Sequence, residues 1–379
     1  MDKPYQITVL NPGSTSTKIA VYHDENCVFQ TSVTHSAAEL ARYRDIPEQL
    51  PYRKEMILQT LADQKIPIDK TDAFVAICTG LPPMSGGIFR VNSLMVDHAR
   101  QGLGSRHPGN LGPILAKDLA DTVGVNAYIV DASSVDEFRI EARLTGISDV
   151  LRTSRGHPLN QRAVAKKFAK DCNKKYDELS LIVVHLGGGI SVTAHDHGLM
   201  VDTIDSTRGE GRMAPTRSGA IPAAPLIEMC FSGKYTKTQL LDRVQKIGGW
   251  VEHLGTSDGR EVEQRIENGD KWAELIFDAT VYQIAKDIGA CAAVLSGNID
   301  AILLTGGLAY SERLTESLKK RIGFLAPIHV YPGEIEMEAL ALSTLAVLEK
   351  KSIAKEYTGE PVFTGFEAWK DALAKGGKR

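Results

Sequence analysis

Residues 6–33, QITVLNPGSTSTKIAVYHDENCVFQTSV, decide the fold, because their pattern returns at residues 181–203 as LIVVHLGGGISVTAHDHGLMVDT. In each copy an apolar, β-branched run precedes a loop of small residues, an alternating run follows it, and a polar turn leads into a third strand. Glycine lets backbone N–H groups approach an anion closely, and serine or threonine hydroxyls add donors. The repeat therefore predicts a duplicated α/β protein with two phosphate-binding loops, which is typical of a two-lobed nucleotide-dependent phosphotransferase.

The composition is compatible with two domains and argues against several partners. A chain of 379 residues with 43% hydrophobic content can bury two cores. A net charge of −3 gives no general attraction to nucleic acid or to anionic lipid. The five cysteines are odd in number and never form a CxxC pair, which is typical of reduced thiols in the cytosol. Since neither a signal peptide nor a run of about 18 apolar residues is present, we expect a cytoplasmic protein without a membrane span.

Apolar runs and helical patterns alternate along the rest of the chain. The apolar runs predict further strands at residues 71–78, at residues 126–130 and from residue 300. Asp131-Ala-Ser-Ser is a helix-start signal that follows the second of these runs. Other helical patterns lie at residues 36–65 with a break near Pro51, and at 110–122, 160–172, 223–230, 236–245, 261–295 and 336–350. From the repeat, we place the boundary between an N-terminal lobe, 1–150, and a nucleotide-binding lobe, 151–337, near Val150.

Nine motifs together resemble one known family. NPGSTSTKIAVY resembles the opening phosphate loop of the acetate and butyrate kinases, which belong to the actin, sugar-kinase and Hsp70 ATPase superfamily. Eight further segments follow in the family's order: HPGNLGPILA, IVDASSVDEF, GHPLNQRAVA, HLGGGISV, GEGRMAPTRSG, LGTSDGREVE, LLTGGLAYS and YPGEIEMEALA. The GEG, TRSG, HLGGG and EMEALA sequences look more like the butyrate and branched-chain fatty-acid kinases than like acetate kinase.

The resemblance implies a fold and a reaction. The fold is a two-lobed, duplicated ribonuclease H-like (actin-like ATPase) fold with its active site in the interdomain cleft, and with residues 338–379 packing back on the first lobe as a helical segment. The reaction converts ATP and a short-chain carboxylate reversibly into ADP and an acyl phosphate, with Mg²⁺, in a homodimer. Because a carboxylic acid is already ionised at pH 7, its attack needs no general base. The protein must instead supply position and positive charge.

The resemblance also implies which residues bind the nucleotide and the metal. Around the phosphates and the metal, the first loop offers Asn11, Ser14, Ser16 and Lys18. The second loop offers His185, Gly187, Gly188 and Gly189 to the nucleotide phosphates, and the adenosine side is assigned to Asp258, Gly259, Arg260, Gly306 and Gly307. A hairpin turn with a solvated lysine is the structural alternative for the first loop. Glu336 is the acidic residue associated with Mg²⁺ together with Asn11, and Glu334 lies close enough in sequence to compete with it.

Three residues match the family's catalytic positions. Arg217 matches the arginine placed on the transferring phosphoryl group, where a planar guanidinium can bind two oxygens at once. Arg208 and Arg212 could substitute for it electrostatically, and the sequence does not choose between them. His157 matches a histidine that donates to the phosphoryl group in the transition state, and Asp131 matches an aspartate that orients an arginine or the water shell of the metal. The alternative for Asp131 is a helix N-cap.

One departure from the family lies in ICTGLPPMSGGIFRVN. Family members carry an arginine for the substrate carboxylate in this segment, whereas here Cys78 or a neighbour stands at that place. Arg90 and Arg106 are the nearest possible replacements, and neither occupies the matching position. This departure motivates one alternative, a nucleotide-binding paralogue with altered acid specificity or little kinase activity. A separate alternative is another enzyme of the superfamily, such as a sugar kinase or a polyphosphate phosphatase.

Overall fold

The computed structural model describes residues 3–367 and residue 370, which form two compact units. Among the described residues, the first unit contains 3–136, 337–367 and 370, and the second contains Glu137–Glu336. Residues 368, 369 and 371–379, at the end of the segment expected to pack on the first lobe, lie outside the described residues. No helix in the described part of the chain is long and apolar enough to cross a membrane.

The first unit is built on a mixed seven-stranded sheet of order β12-β5-β6-β4-β1-β2-β3. Its strands are β1 (Gln6–Pro12), β2 (Ser16–His23), β3 (Asn26–Thr34), β4 (Ala73–Ala76), β5 (Ile88–Arg90), β6 (Asn126–Val130) and β12 (Lys355–Glu356). Its helices are α1 (Ala37–Leu40), α2 (Leu50–Asp63), α3 (Ser93–Gln101), α4 (Leu111–Val123) and α12 (Glu336–Leu348), the last of which starts at the boundary. Pro51 lies in the first turn of α2, where the missing N–H of proline breaks no helical hydrogen bond. The break in the predicted helix at 36–65 therefore lies before Pro51, between α1 and α2.

The second unit is built on a five-stranded sheet of order β11-β10-β7-β8-β9. Its strands are β7 (Ser180–Leu186), β8 (Ile190–Asp196), β9 (Leu199–Thr203), β10 (Ala301–Gly306) and β11 (Ile328–Pro332). Its helices are α5 (Pro158–Asp171), α6 (Ala223–Phe231), α7 (Lys237–Gln245), α8 (Trp250–Leu254), α9 (Gly259–Glu267), α10 (Lys271–Val294) and α11 (Glu312–Ile322). The predicted helix at 261–295 is therefore two helices, separated by a turn at residues 268–270.

The two sheets repeat one topology, as the duplicated hairpin predicts. In each, the first strand pairs antiparallel with the second and the second with the third, while the first also pairs parallel with a later strand on its other side. Both second strands carry a bulge one or two residues before their last residue, at Val21/Tyr22 and at Ala194/His195. Parallel pairing brings the carboxyl ends of β1, β4 and β6 to one sheet edge, and those of β7, β10 and β11 to one edge of the other sheet.

The unit boundary differs from the predicted one near Val150. Residues 137–150 belong to the second unit, because Arg139 fastens this stretch to its sheet and to α10. The backbone N–H of Arg139 donates to Val201 O at 3.0 Å, and its guanidinium donates to Val294 O at 2.8 Å and to Asp196 at 2.6 Å. The sequence repeat locates the two hairpins, but it does not predict to which unit the segment between them belongs.

Candidate active site

Three loops meet at one edge of the second sheet, where β7, β10 and β11 end. Residues 187–189 follow β7, Gly306 ends β10, and Gly333 follows β11. Gly306 and Gly333 exchange two backbone hydrogen bonds of 2.9 and 3.0 Å. A side chain at position 306 would overlap the backbone of Leu186, and its φ of +91° favours glycine. The glycines therefore let the three loops approach one another closely.

Arg217 lies directly on the loop at residues 187–189. A Cβ at position 189 would overlap Nη1 of Arg217 and lie 2.6 Å from its Cζ. Arg217 donates from Nη1 to Ser206 O at 3.0 Å, and Thr216 donates from its backbone and hydroxyl to Gly188 O at 3.2 and 2.8 Å. Burial lowers the pKa of Arg217 from its usual value, and the charge of Asp205 opposes that shift.

His157 and His185 stack beside this loop. Their ring centroids are 3.8 Å apart and their planes differ by 11°. Burial lowers the pKa of His185 to about 4 and holds that of His157 well below its usual value; the neighbouring Arg217 adds to both effects. Each ring is therefore neutral at pH 7 and can offer one N–H donor. His157 binds Ser191 Oγ through Nδ1 at 2.8 Å.

A cluster of arginines surrounds the buried Asp205 on the same unit. Asp205 Oδ1 accepts from the backbone N–H groups of Thr207 and Arg208, at 2.8 and 3.0 Å, and thereby shapes the turn. Its Oδ2 lies 3.8 Å from Nε of Arg155 and 3.9 Å from Nε of Arg208. Sequence reasoning missed Arg155, although it stands two residues before His157. Arg155 and Arg208 therefore share one buried carboxylate.

The alternative cation Arg212 is not part of this cluster. It donates from Nε to the carboxylate of Asp287 of α10 at 2.6 Å. The Asp287 side chain is only 4% exposed. Burial raises the pKa of Asp287, and the Arg212 contact opposes that rise. Arg212 therefore neutralises a buried carboxylate, and of the two alternatives only Arg208 lies beside Asp205.

The two segments assigned to adenosine lie together. Asp258 caps α9 by accepting from the Arg260 backbone at 2.9 Å, and its contact with the Arg260 guanidinium at 2.7 Å lowers the pKa of this carboxyl to about 2. A Cβ at Gly259 would lie 2.8 Å from Leu308, so the start of α9 packs on the turn that follows β10. A Cβ at Gly307 would meet nothing within 4 Å, which leaves this backbone open to a ligand.

The two acidic candidates for the metal follow β11. Glu334 Oε1 lies 3.8 Å from Nε2 of His185, and Glu336 is the first residue of α12. The described residues contain no group of three or more histidine, cysteine, aspartate or glutamate side chains that could hold a metal ion alone. Mg²⁺ commonly takes one or two carboxylates and completes its shell with water and phosphate oxygens. The donor set after β11 fits that requirement.

In the first unit, Asn11, the loop after β1 and Asp131 lie at the sheet edge where the parallel strands end. Ser14 is exposed, while Asn11, Ser16 and Lys18 are half-buried. Asp131 is 4% exposed, has a φ of +42° and accepts from Gly87 N at 2.7 Å. No helix begins there, so the predicted helix and the N-cap alternative are both wrong. This carboxylate is instead held by a distant loop.

Cys78 provides no charge in place of the expected arginine. It is fully buried, and burial raises the pKa of its thiol to about 12. Arg90 binds Glu356 and Arg106 binds Asp45 at 2.9 Å, so each replacement candidate already has a carboxylate partner. Both guanidinium groups are also at least half exposed, which weakens their field.

Sequence reasoning also missed Arg53, a buried cation behind the first loop. It is fully buried on α2 and donates to Thr17 Oγ1 at 3.0 Å, Ser16 O at 3.4 Å and Gln49 Oε1 at 3.0 Å. Its Nη2 has no hydrogen-bond partner within the described part of the chain. The spacing of residues in the sequence could have indicated this burial. Arg53 shares a helix face with the buried Ile57 and Leu61, where an apolar residue is expected.

The two sheets with their repeated hairpins form a two-lobed α/β fold of the actin-like class. Acetate kinase of Porphyromonas gingivalis has the same fold, with a TM-score of 0.77 over 91% of this chain and 100% of that chain at 19% identity. Butyrate kinase 2 of Clostridium acetobutylicum is 44% identical over 353 residues, which cover 93% of this chain and 99% of the relative. The probable butyrate kinase of Clostridium botulinum is 43% identical with the same coverage. The sequence model of the Acetokinase family matches residues 150–329.

The chain therefore belongs to the acetokinase family, whose reaction is phosphoryl transfer to a carboxyl group.

Proposed function

We propose that this protein phosphorylates butyrate or a branched short-chain fatty acid with ATP, and that it runs the reaction in both directions. The observation that carries the proposal is the group formed by Arg217, the loop at residues 187–189 and the two neutral imidazoles of His157 and His185. This group combines one cation with several N–H donors. Such donors stabilise charge on a transferring phosphoryl group without a proton transfer.

The reaction balances with the residues assigned. A carboxylate oxygen attacks the γ-phosphorus, the new P–O bond forms, and the bond to the β–γ bridging oxygen breaks with its electron pair leaving on ADP. Arg217 would bind two equatorial oxygens, and His157 and His185 would each donate one hydrogen bond. Because the nucleophile is already ionised, Asp131 needs no role as a base. It would instead orient an arginine or the water shell of the metal.

The nucleotide and the metal would be held by the remaining candidates. Backbone N–H groups of residues 187–189 would bind the phosphates, and Gly307 with the Asp258–Arg260 turn would flank the adenosine. Mg²⁺ would be held by Glu336 or Glu334, with Asn11, and it would neutralise charge on the phosphates. Ser14, Ser16 and Lys18 would complete the phosphate contacts. We further propose that the enzyme is a cytoplasmic homodimer.

Acyl-phosphate formation tests the proposal. Purified protein with Mg²⁺-ATP would be assayed against acetate, propionate, butyrate, isobutyrate and valerate, with hydroxylamine trapping the product. We expect turnover that peaks at four or five carbons and falls by about 100-fold or more in Arg217→Ala. ATP binding without turnover on any acid would instead support the nucleotide-binding paralogue, which the absence of a substrate arginine at Cys78 favours.

A further inference from the structure

A buried amide joins the stacked histidines to the turn that carries the acidic residues. Asn160 of α5 is fully buried. Its Nδ2 donates to His185 Nδ1 at 3.1 Å and to Thr305 Oγ1 at 3.2 Å, and its Oδ1 accepts from Ile335 N at 3.0 Å. One side chain thus contacts β7, β10 and the residue immediately before Glu336.

The orientation of this amide is fixed by its neighbours. The backbone N–H of Ile335 can only donate, so the amide oxygen must face it. The Thr305 hydroxyl donates to Gly333 O at 3.0 Å and therefore accepts from Asn160. Only Nδ2 remains to face His185, and an amide nitrogen only donates. Consequently Nδ1 of His185 carries a lone pair, and its single proton resides on Nε2.

The protonated nitrogen points to the phosphate-binding loop. Nε2 of His185 lies 3.1 Å from the position that a Cβ on Gly187 would take, and 3.8 Å from Glu334 Oε1. In this tautomer the ring offers a donor where phosphate oxygens are expected. The opposite tautomer would present a lone pair to those oxygens and leave Nδ1–H facing the Asn160 amide protons.

We propose that Asn160 is a positioning residue for phosphoryl transfer, which holds His185 in its Nε2–H tautomer and ties that ring to the turn before Glu336. The proposal rests on the proposed function for its catalytic part. Its structural part concerns the tautomer alone and is independent of activity.

The tautomer can be measured directly in the wild-type protein. Long-range ¹H–¹⁵N spectra of ¹⁵N-histidine-labelled protein distinguish the two ring nitrogens, and His185→Gln identifies the signals of His185 by their loss. We expect the Nε2–H pattern at pH 7. An Nδ1–H pattern, or a mixture of both, would overturn the inference even if every Asn160 variant failed to fold.

A double-mutant cycle tests whether Asn160 acts through His185. Asn160→Leu keeps the shape of the side chain but removes its polar groups. We expect kcat to fall on the order of 100-fold, with KM for ATP little changed. Glutamine at position 185 has no tautomers, so the same substitution should cost much less in the His185→Gln background. Equal losses in both backgrounds, or no loss in the wild-type background, would refute the positioning role.

Ser180→Ala is the matched control. Ser180 lies at the other end of β7 and donates to Asp196 at 3.0 Å, so its replacement also removes a side-chain hydrogen bond from this strand. The kcat of Ser180→Ala should equal that of the wild type. A loss of kcat as large as that of Asn160→Leu would mean that the Asn160 effect reflects lost protein stability. Wild-type protein that forms no acyl phosphate would refute the proposed function, while the spectrum of His185 would still decide the tautomer.

Discussion

The guanidinium of Arg217 occupies the space that a side chain at Gly189 would need. Glycine at position 189 is therefore needed to leave room for the Arg217 guanidinium, in addition to any role in phosphate binding. Gly189→Ala should displace Arg217 from the loop, because Nη1 would overlap the new methyl group. We expect kcat for acyl-phosphate formation to fall by at least about tenfold, which corresponds to about 1.4 kcal/mol of barrier.

Gly289→Ala provides the comparison for that substitution. Gly289 is exposed within α10, and a Cβ there would meet nothing within 4 Å. This variant should gain about 0.5–1 kcal/mol of stability, since alanine is the better helix former, and keep its kcat. Unchanged kcat in Gly189→Ala as well would mean that Arg217 does not act from its observed position.

The burial of Cys78 predicts a thiol that does not react at neutral pH. Its pKa is raised to about 12, and burial likewise raises the pKa of Cys291. Iodoacetamide at pH 7.5 should therefore label at most Cys27, Cys172 and Cys230, which are exposed. Intact-mass measurement in the folded and the denatured protein checks the count. A fourth adduct on the folded protein, located at Cys78 by peptide mapping, would contradict its place in the core.

Local patterns predicted the strands but not the residues held by long-range contacts. The run Asn126–Val130 is predicted to be a buried strand because consecutive apolar residues are typical of one, and β6 has those bounds. Asp131-Ala-Ser-Ser satisfies the local rule for a helix start, yet Asp131 is bound by Gly87, 44 residues away. Asn160 accepts from Ile335, 175 residues away. No spacing rule encodes such contacts, so sequence could indicate Arg217 and His157 only through family resemblance.

Arg53 should support the first loop with its charge. Arg53→Met removes donors to Ser16 O and Thr17 Oγ1 together with the buried charge behind them. We expect kcat/KM for the acid to fall about tenfold, or about 1.4 kcal/mol. The free energy of unfolding should change little, because relief of an uncompensated buried charge offsets the lost hydrogen bonds. Steady-state kinetics and urea unfolding measure the two effects separately.

Arg53→Lys distinguishes charge from hydrogen-bond geometry. Lysine keeps a cation but cannot reach Thr17 and Gln49 at once with a planar fork. Partial recovery of kcat/KM relative to Arg53→Met would assign part of the effect to charge. If both variants keep wild-type kcat/KM, Arg53 is only a packing residue.

His195, which lies outside the candidate active site, makes the free energy of unfolding depend on pH. It is fully buried, with Nδ1 2.7 Å from the Tyr176 hydroxyl, and burial lowers its pKa to about 3, with a smaller contribution from Arg162. The unfolded chain protonates this ring near pH 6.5, whereas the folded protein does so only near pH 3. Between these values the unfolded state binds more protons. The stability contribution is therefore complete above about pH 6.5 and is lost as the pH falls through this window.

His195→Asn should remove that part of the pH dependence. A difference of about 1.36 kcal/mol per pH unit implies that the wild type loses about 2 kcal/mol more than the variant between pH 7 and pH 5. Urea unfolding at the two pH values gives the free energies of unfolding. Asparagine keeps a polar atom near Tyr176 Oη, so both proteins should fold at pH 7. Parallel pH profiles would show that His195 is protonated equally in the folded and unfolded states, against its burial in the core.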